Sequence, residues 1–179
     1  MSSNSWNQTL ITAQGDGSAL SNTTTATSIL PAAAKLLVPG NLLKIGDIIR
    51  IRALMRISTA AATPGTLTFD VRAGTSTVIF NGGASGTVAT SASNLTADLE
   101  AYLTVRSIGT SGTVLGAGRL LSAALSATTP IMLLPTSAPA VGSSFDTTNS
   151  FVLDLYATWS VASASNSLTL HQYEAALLT

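Results

Sequence analysis

Ile49-Arg-Ile-Arg-Ala-Leu-Met-Arg-Ile-Ser58 is the stretch that decides the fold. Its odd positions carry Ile49, Ile51, Ala53, Met55 and Ile57; its even positions carry Arg50, Arg52, Leu54, Arg56 and Ser58. Wound as a helix, at about 100° per residue, the segment would scatter its arginines around the whole circumference. As a strand, whose side chains alternate between faces, it puts every arginine on one side and the aliphatics on the other. The alternation predicts a half-buried β-strand. After a loop from Thr59 to Gly65 it returns, with Leu67, Phe69, Val71 and Ala73 against Thr66, Thr68, Asp70 and Arg72. Two such strands around Pro64-Gly65 predict an antiparallel hairpin.

The same period runs downstream. Leu95, Ala97, Leu99, Ala101, Leu103 and Val105 alternate with Thr96, Asp98, Glu100, Tyr102, Thr104 and Arg106. Gly109-Thr-Ser-Gly112 then turns the chain into Thr113–Leu120. Phe151 to Trp159 alternates again, and a polar turn, Ala162 to Asn166, leads into a last strand from Ser167 to about Tyr173. Shorter candidates are Gln8–Ala13, Thr25–Leu30, Lys35–Val38, Thr87–Thr90 and Ile131–Leu134, with Thr77–Phe80 followed by an Asn81-Gly82 turn. Helix signals are confined to one Pro-led turn at Pro31-Ala-Ala-Ala-Lys35 and a possible turn at Glu174-Ala-Ala-Leu-Leu. Long strands mixed with short ones, and no internal repeat, predict an all-β fold: a single-domain, jelly-roll-like antiparallel β-sandwich. Residues 1–28 are expected as an N-terminal arm of edge strands contacting a neighbouring subunit, and residues 29–179 as the sandwich.

Composition narrows the function. The 179 residues include no cysteine, which removes disulfides, thiolate metal sites and cysteine nucleophiles. Eight basic residues balance eight acidic ones, so the counterion release that drives non-specific nucleic-acid binding has little to work on. The uncharged stretches Ala73–Ala97 and Leu120–Phe145 are broken by Gly, Pro, Ser and Thr, and neither reads as a membrane span. Charged residues make up 9% of the chain, against roughly 25% in an average soluble domain. So little charge leaves a free monomer prone to adhere, and the remedy is either a surface covered by Ser and Thr or, the expectation favoured here, burial of surface in an assembly.

Catalytic groupings are sparse. His171, the one histidine, falls on the polar register of the last strand with Thr169 and Tyr173, and no orienting carboxylate or nucleophile is evident in the sequence beside it. Asp98 and Glu100, two apart on a strand, are expected to face arginines across the sheet rather than to flank a substrate. Asp16, between Gly15 and Gly17, reads as a tight turn, and Gly116-Ala-Gly118 as a bulge or a close backbone approach. No enzyme activity, cofactor or metal is expected. Leu54, Val152 and Tyr156 place apolar groups on polar registers, the mark of a covered patch. With Trp6 near the terminus and Arg50, Arg52 and Arg56 on one strand face, Leu54 and Tyr156 make up the candidate interface set.

Leu30-Pro-Ala-Ala-Ala-Lys35 followed by Val38-Pro-Gly-Asn-Leu-Leu-Lys-Ile-Gly-Asp-Ile-Ile-Arg-Ile-Arg52 resembles small β-structured proteins of tailed-phage particles. Thr63-Pro-Gly-Thr-Leu-Thr-Phe-Asp-Val-Arg72, Val78-Ile-Phe-Asn-Gly-Gly83, Leu155-Tyr-Ala-Thr-Trp159 and Asn166-Ser-Leu-Thr-Leu-His-Gln-Tyr173 keep the likeness. These motifs are structural turns and strands, so the resemblance carries over no site residue. It implies a virion structural protein, a jelly-roll subunit that decorates or reinforces the capsid as a homo-oligomer, a trimer, with the major capsid protein or other virion proteins as partners. The alternative is a tail or fibre domain binding a host receptor or glycan, for which Tyr102, Tyr156 and Tyr173 are the candidate stacking groups.

Overall fold

The computed structural model describes residues 7–126 and 129–179; the interface candidate Trp6 lies outside them. In chain order the strands are β1 (Asn7–Thr12), β2 (Leu20–Ser21), β3 (Thr27–Ser28), β4 (Leu36–Val38), β5 (Ile48–Ser58), β6 (Leu67–Ala73), β7 (Thr77–Ala84), β8 (Leu95–Ser107), β9 (Thr113–Ser126), β10 (Thr129–Leu134), β11 (Phe151–Trp159) and β12 (Ser167–Leu178). The turn led by Pro31 forms as a single 3-10 turn, Ala32–Ala34.

Two sheets pack face to face. Sheet A has seven strands in the order β1-β12-β5-β8-β9-β10, with β2 also on β12. Sheet B has five, β3-β11-β6-β7, with β4 also on β11. Every pairing is antiparallel. When β1 is lettered B, β3 with β4 C, β5 D, β6 E, β7 F, β8 G, β11 H and β12 I, the sheets read B-I-D-G and C-H-E-F. That is the strand order of a jelly roll. The hairpin β9–β10 extends sheet A beyond strand G.

The alternation places the core. Ile49, Ile51 and Ile57 of β5 are 0% exposed and join Phe69, Leu153, Leu155 and Trp159 from sheet B in one cluster. Each such side chain contributes about 1.5–3 kcal/mol relative to leaving it in water. Gly116 and Gly118 mark close approaches, as expected: a Cβ on Gly116 would fall into the Phe80 ring, and one on Gly118 onto the Glu100 carbonyl.

Several expectations are corrected. Strands β5 and β6 form no hairpin; β5 pairs with β12 and β8, β6 with β11 and β7, and the Thr59–Gly65 loop crosses from sheet A to sheet B. Alternation shows that each strand has one buried face, but both sheets bury that face in the same core. Asn81-Gly82 is no turn either. β7 runs through it with a register shift, Asn81 Oδ1 accepting the Gly83 N–H at 2.8 Å and Gly83 taking φ +75°. Thr87–Thr90 is irregular, although Val88 is buried. Glu174-Ala-Ala-Leu-Leu continues β12.

β12 holds the change with most effect on the surface. Its register against β5 shifts between Leu170 and Gln172, leaving His171 as the extra residue of a bulge. Parity flips there: Leu168 and Leu170 point inward before the bulge, and Tyr173, Ala175 and Leu177 after it. Tyr173 is therefore 3% exposed rather than on the polar face.

Residues 7–28 are woven into the sandwich as edge strands. β1 lies along β12, Leu20 is 3% exposed, and Trp159 Nε1 donates to the Leu20 carbonyl at 3.3 Å. The Ile29 N–H bonds the Leu155 carbonyl at 3.0 Å, so the chain passes from 28 to 29 inside sheet B without a boundary.

Candidate functional site

Five of the chain's six arginines gather on one surface. Arg50, Arg52 and Arg56 of β5, Arg106 of β8 and Arg119 of β9 all point out from sheet A, against three carboxylates, Asp98, Glu100 and Glu174. Register sets them in rows. Arg119, Glu100, Arg52 and Glu174 stand opposite one another across β9, β8, β5 and β12, alternating in sign. The next row is Leu121, Asp98, Leu54 and Gln172.

Glu100 is the hub: Arg119 Nη2 approaches its Oε2 at 2.9 Å, Arg52 Nε its Oε1 at 4.0 Å, and the Tyr102 hydroxyl donates to Oε1 at 2.8 Å. Arg50 Nη2 pairs with Glu174 at 2.8 Å. Side chains as exposed as Arg52 (51%) and Arg119 (62%) draw at most about 1 kcal/mol from such pairs. Arg56 makes no ion pair among the described residues. Asp98, between Leu54 and Leu121, has Oδ1 hidden from solvent with no hydrogen-bond partner.

Two open depressions adjoin on this face and share Leu54 and Gln172. One, of about 580 Å³, is bordered by Arg56, Asn94, Thr96 and His171; the other, of about 390 Å³, by Arg52, Asp98 and Glu174. The β12 bulge puts His171 at the first, and Asp16 Oδ1 meets its Nδ1 at 2.9 Å, a carboxylate partner that sequence reading missed. No short-range spacing announces a contact between residues so far apart in the chain. Farther along the face, Leu121, Ile131 and Leu133 are 43%, 56% and 73% exposed, an apolar strip at the β10 edge.

The candidate interface residues therefore divide. Arg50, Arg52, Leu54 and Arg56 share the outer face of sheet A, whereas Tyr156 stands on the outer face of sheet B. There it is covered: the Arg72 guanidinium lies 4.0 Å above its ring, and only 8% of the residue is exposed. Arg72 in turn donates to Asp70 Oδ2 from Nε at 3.0 Å and Nη2 at 2.8 Å. Beside them Asp154, 3% exposed, accepts from Ser28 Oγ at 2.7 Å and pairs with Lys35 Nζ at 3.0 Å. A tyrosine used to shield ion pairs offers no free face to a partner. Of the proposed stacking tyrosines, Tyr156 and Tyr173 are buried and Tyr102 is exposed.

Burial raises the Asp70 carboxyl above its ordinary 3.8, outweighing the hydrogen bond and charge of Arg72. Asp146 is lowered instead, by the Thr148 hydroxyl first and then the Thr148 N–H. Proton-detected titration of the carboxyl signals should thus give Asp146 a midpoint below 3.8 and Asp70 one above it. Because the folded chain holds the Asp70 proton more tightly than the unfolded chain, Asp70 contributes stability as pH falls from neutral through its folded pKa. Asp146 contributes above its unfolded value and loses that contribution as pH falls through its folded one. Reversed midpoints would contradict both environments.

No protein-family model matches the chain, and no curated protein does. Among solved structures it is similar to the CBM2 module of the evolved Dit of Lactobacillus casei BL23 phage J-1, at 8% identity and a TM-score of 0.39 over 98% of each chain. A similarity that low transfers neither function nor site.

Proposed function

We propose that the chain is a structural subunit of a tailed-phage particle that decorates or reinforces the capsid. Its partners on this reading are the major capsid protein or other virion proteins, its place is the virion, and it works as a homo-oligomer, for which the sequence resemblance implies a trimer. The observation that carries the proposal is the outer face of sheet A. Five arginines, Leu54 and the apolar strip of Leu121, Ile131 and Leu133 are assembled on one broad surface of a rigid sandwich, a mixture suited to binding another protein. The jelly-roll strand order and the tailed-phage resemblance of the sequence support the particle setting. Work of this kind is binding, with no chemical step.

Adsorption to shells of the particle encoded with it tests the reading. The purified protein is expected to sediment with shells that lack it, and Arg52→Glu with Arg56→Glu to weaken adsorption at least about tenfold, or about 1.4 kcal/mol. Unchanged far-UV circular dichroism would show that the variant folds. No sedimentation with shells would overturn the assignment.

The two adjoining depressions favour a second reading, a tail or fibre domain binding a host receptor or glycan. Hits on a glycan array, lost in Tyr102→Ala, would establish it over capsid decoration. Burial of Tyr156 and Tyr173 leaves Tyr102 as the one exposed member of the three stacking tyrosines that reading drew on.

A further inference from the structure

We propose that the larger depression on sheet A, the one bordered by Arg56, binds an acidic saccharide whose carboxylate pairs with that arginine. The inference rests on the glycan reading and moves its centre from Tyr102 to Arg56.

Register gives two arginines of β5 opposite surroundings. Arg52 stands between Glu100 and Glu174, so its charge is met from both sides within the chain. Arg56 stands between Thr96 of β8 and Thr169 of β12, whose hydroxyls leave its charge unmatched. No carboxylate borders the depression among the described residues. The β12 bulge adds His171 to its wall, with Nδ1 met by Asp16 at 2.9 Å. Among the described residues the side chains of Arg56, Asn94, Thr96, Thr169 and Gln172 make no hydrogen bond within the chain. Asn94 bonds Ser58 through its backbone N–H, and Thr96 bonds Ser122 through its carbonyl.

These groups name the ligand. An unpaired guanidinium takes a carboxylate through parallel N–H···O bonds. One such cation matches one carboxylate, whereas a phosphate, with about two negative charges at neutral pH, would stay half balanced. Hydroxyls and primary amides both donate and accept, as the hydroxyl groups of a sugar require. No Phe, Tyr or Trp borders the depression, so a nucleobase or a neutral sugar would find nothing to stack on, and charge has to provide the anchor. Leu54, half-buried where the two depressions adjoin, offers an apolar contact to the C–H face of a ring. At about 580 Å³ the space is of the size that holds a small ligand.

Calorimetric titration of the full chain with trigalacturonate and with sialyllactose tests the site, against trigalacturonate methyl ester and lactose as their uncharged counterparts. At least one acid is expected to bind at least about tenfold more tightly than its counterpart. Arg56→Gln should weaken that binding at least about tenfold. Arg106→Gln should leave it unchanged, because Arg106, on the same face, makes no ion pair among the described residues and borders neither depression. Binding of neither acid would overturn the inference, as would equal binding of acid and counterpart. Binding lost in Tyr102→Ala but kept in Arg56→Gln would overturn it and leave the glycan reading standing, whereas no binding to any glycan on an array removes both. Should Arg56→Gln not fold, the unaltered protein decides. The side-chain amide signals of Asn94 and Gln172 should shift as the bound acid is added, and shifts confined to other parts of the surface refute the site.

Discussion

Asn166→Ala is expected to lower the unfolding free energy by about 2–4 kcal/mol, because one of the backbone groups left without its partner is buried, at about 1–3 kcal/mol, and the other two are part-buried and cost less. Asn166 is 0% exposed. Its Oδ1 accepts the Ala60 N–H at 3.0 Å, and its Nδ2 donates to the carbonyls of Pro64 at 2.8 Å and Val161 at 3.2 Å. One amide thus ties the loop that crosses from β5 to β6 to the one that crosses from β11 to β12. Alanine would leave all three backbone groups without their side-chain partner, the Pro64 carbonyl in a buried site. Asn166→Asp is expected to be about as severe, because it keeps the acceptor for Ala60 but turns a second oxygen toward two carbonyls. Urea unfolding measures both. A loss below about 1 kcal/mol in either variant would mean that water or movement of the loops replaces these bonds.

Trp159→Ala is expected to cost about 3–5 kcal/mol, as large-to-small replacements of buried aromatics do. Trp159 is 1% exposed at the end of β11, and its indole N–H reaches across to the Leu20 carbonyl. Trp159→Phe separates the two contributions. It preserves much of the packing and removes the donor, so about 1 kcal/mol should be lost. Amide exchange should also quicken around Leu20–Ser21, the short β2 strand held against β12. Exchange unchanged in Trp159→Phe would show that β2 is held by its strand pairing alone.

Much of the fold was legible in period-two patterning because one face of each long strand meets a single core. β5, β8 and β11 appear where their alternation puts them, and the Gly109–Gly112 turn does join β8 to β9. Neighbours were harder to read than strands. A strand that crosses to the opposite sheet has the same parity as one that turns back in its own, so β5 and β6 looked like a hairpin. The bulge at His171 defeats periodicity differently: a single extra residue reverses inside and outside for the rest of β12, and Tyr173 goes into the core. At the surface, parity found Arg50, Arg52, Leu54 and Arg56 together. It did not show that Arg72 would close over Tyr156, because that depends on which strands lie side by side. Asn166 gave no signal, since an asparagine in a polar turn looks the same whether it meets water or three backbone groups.

The place of β12 between β1 and β5 has a consequence for synthesis. The ribosome delivers β1 and β5 long before the strand that bonds to both, so each waits with an unfilled side while β6 to β11 emerge. Pairings this distant in sequence form slowly, because the chain loses its freedom before the contacts compensate. Sheet A therefore closes last, and the nascent chain passes through a stage in which β5, with its aliphatic inner face, is open to wrong partners. For this molecule the stage of greatest vulnerability to aggregation lasts until β12 has emerged, and a chain stalled ahead of β12 would stay there.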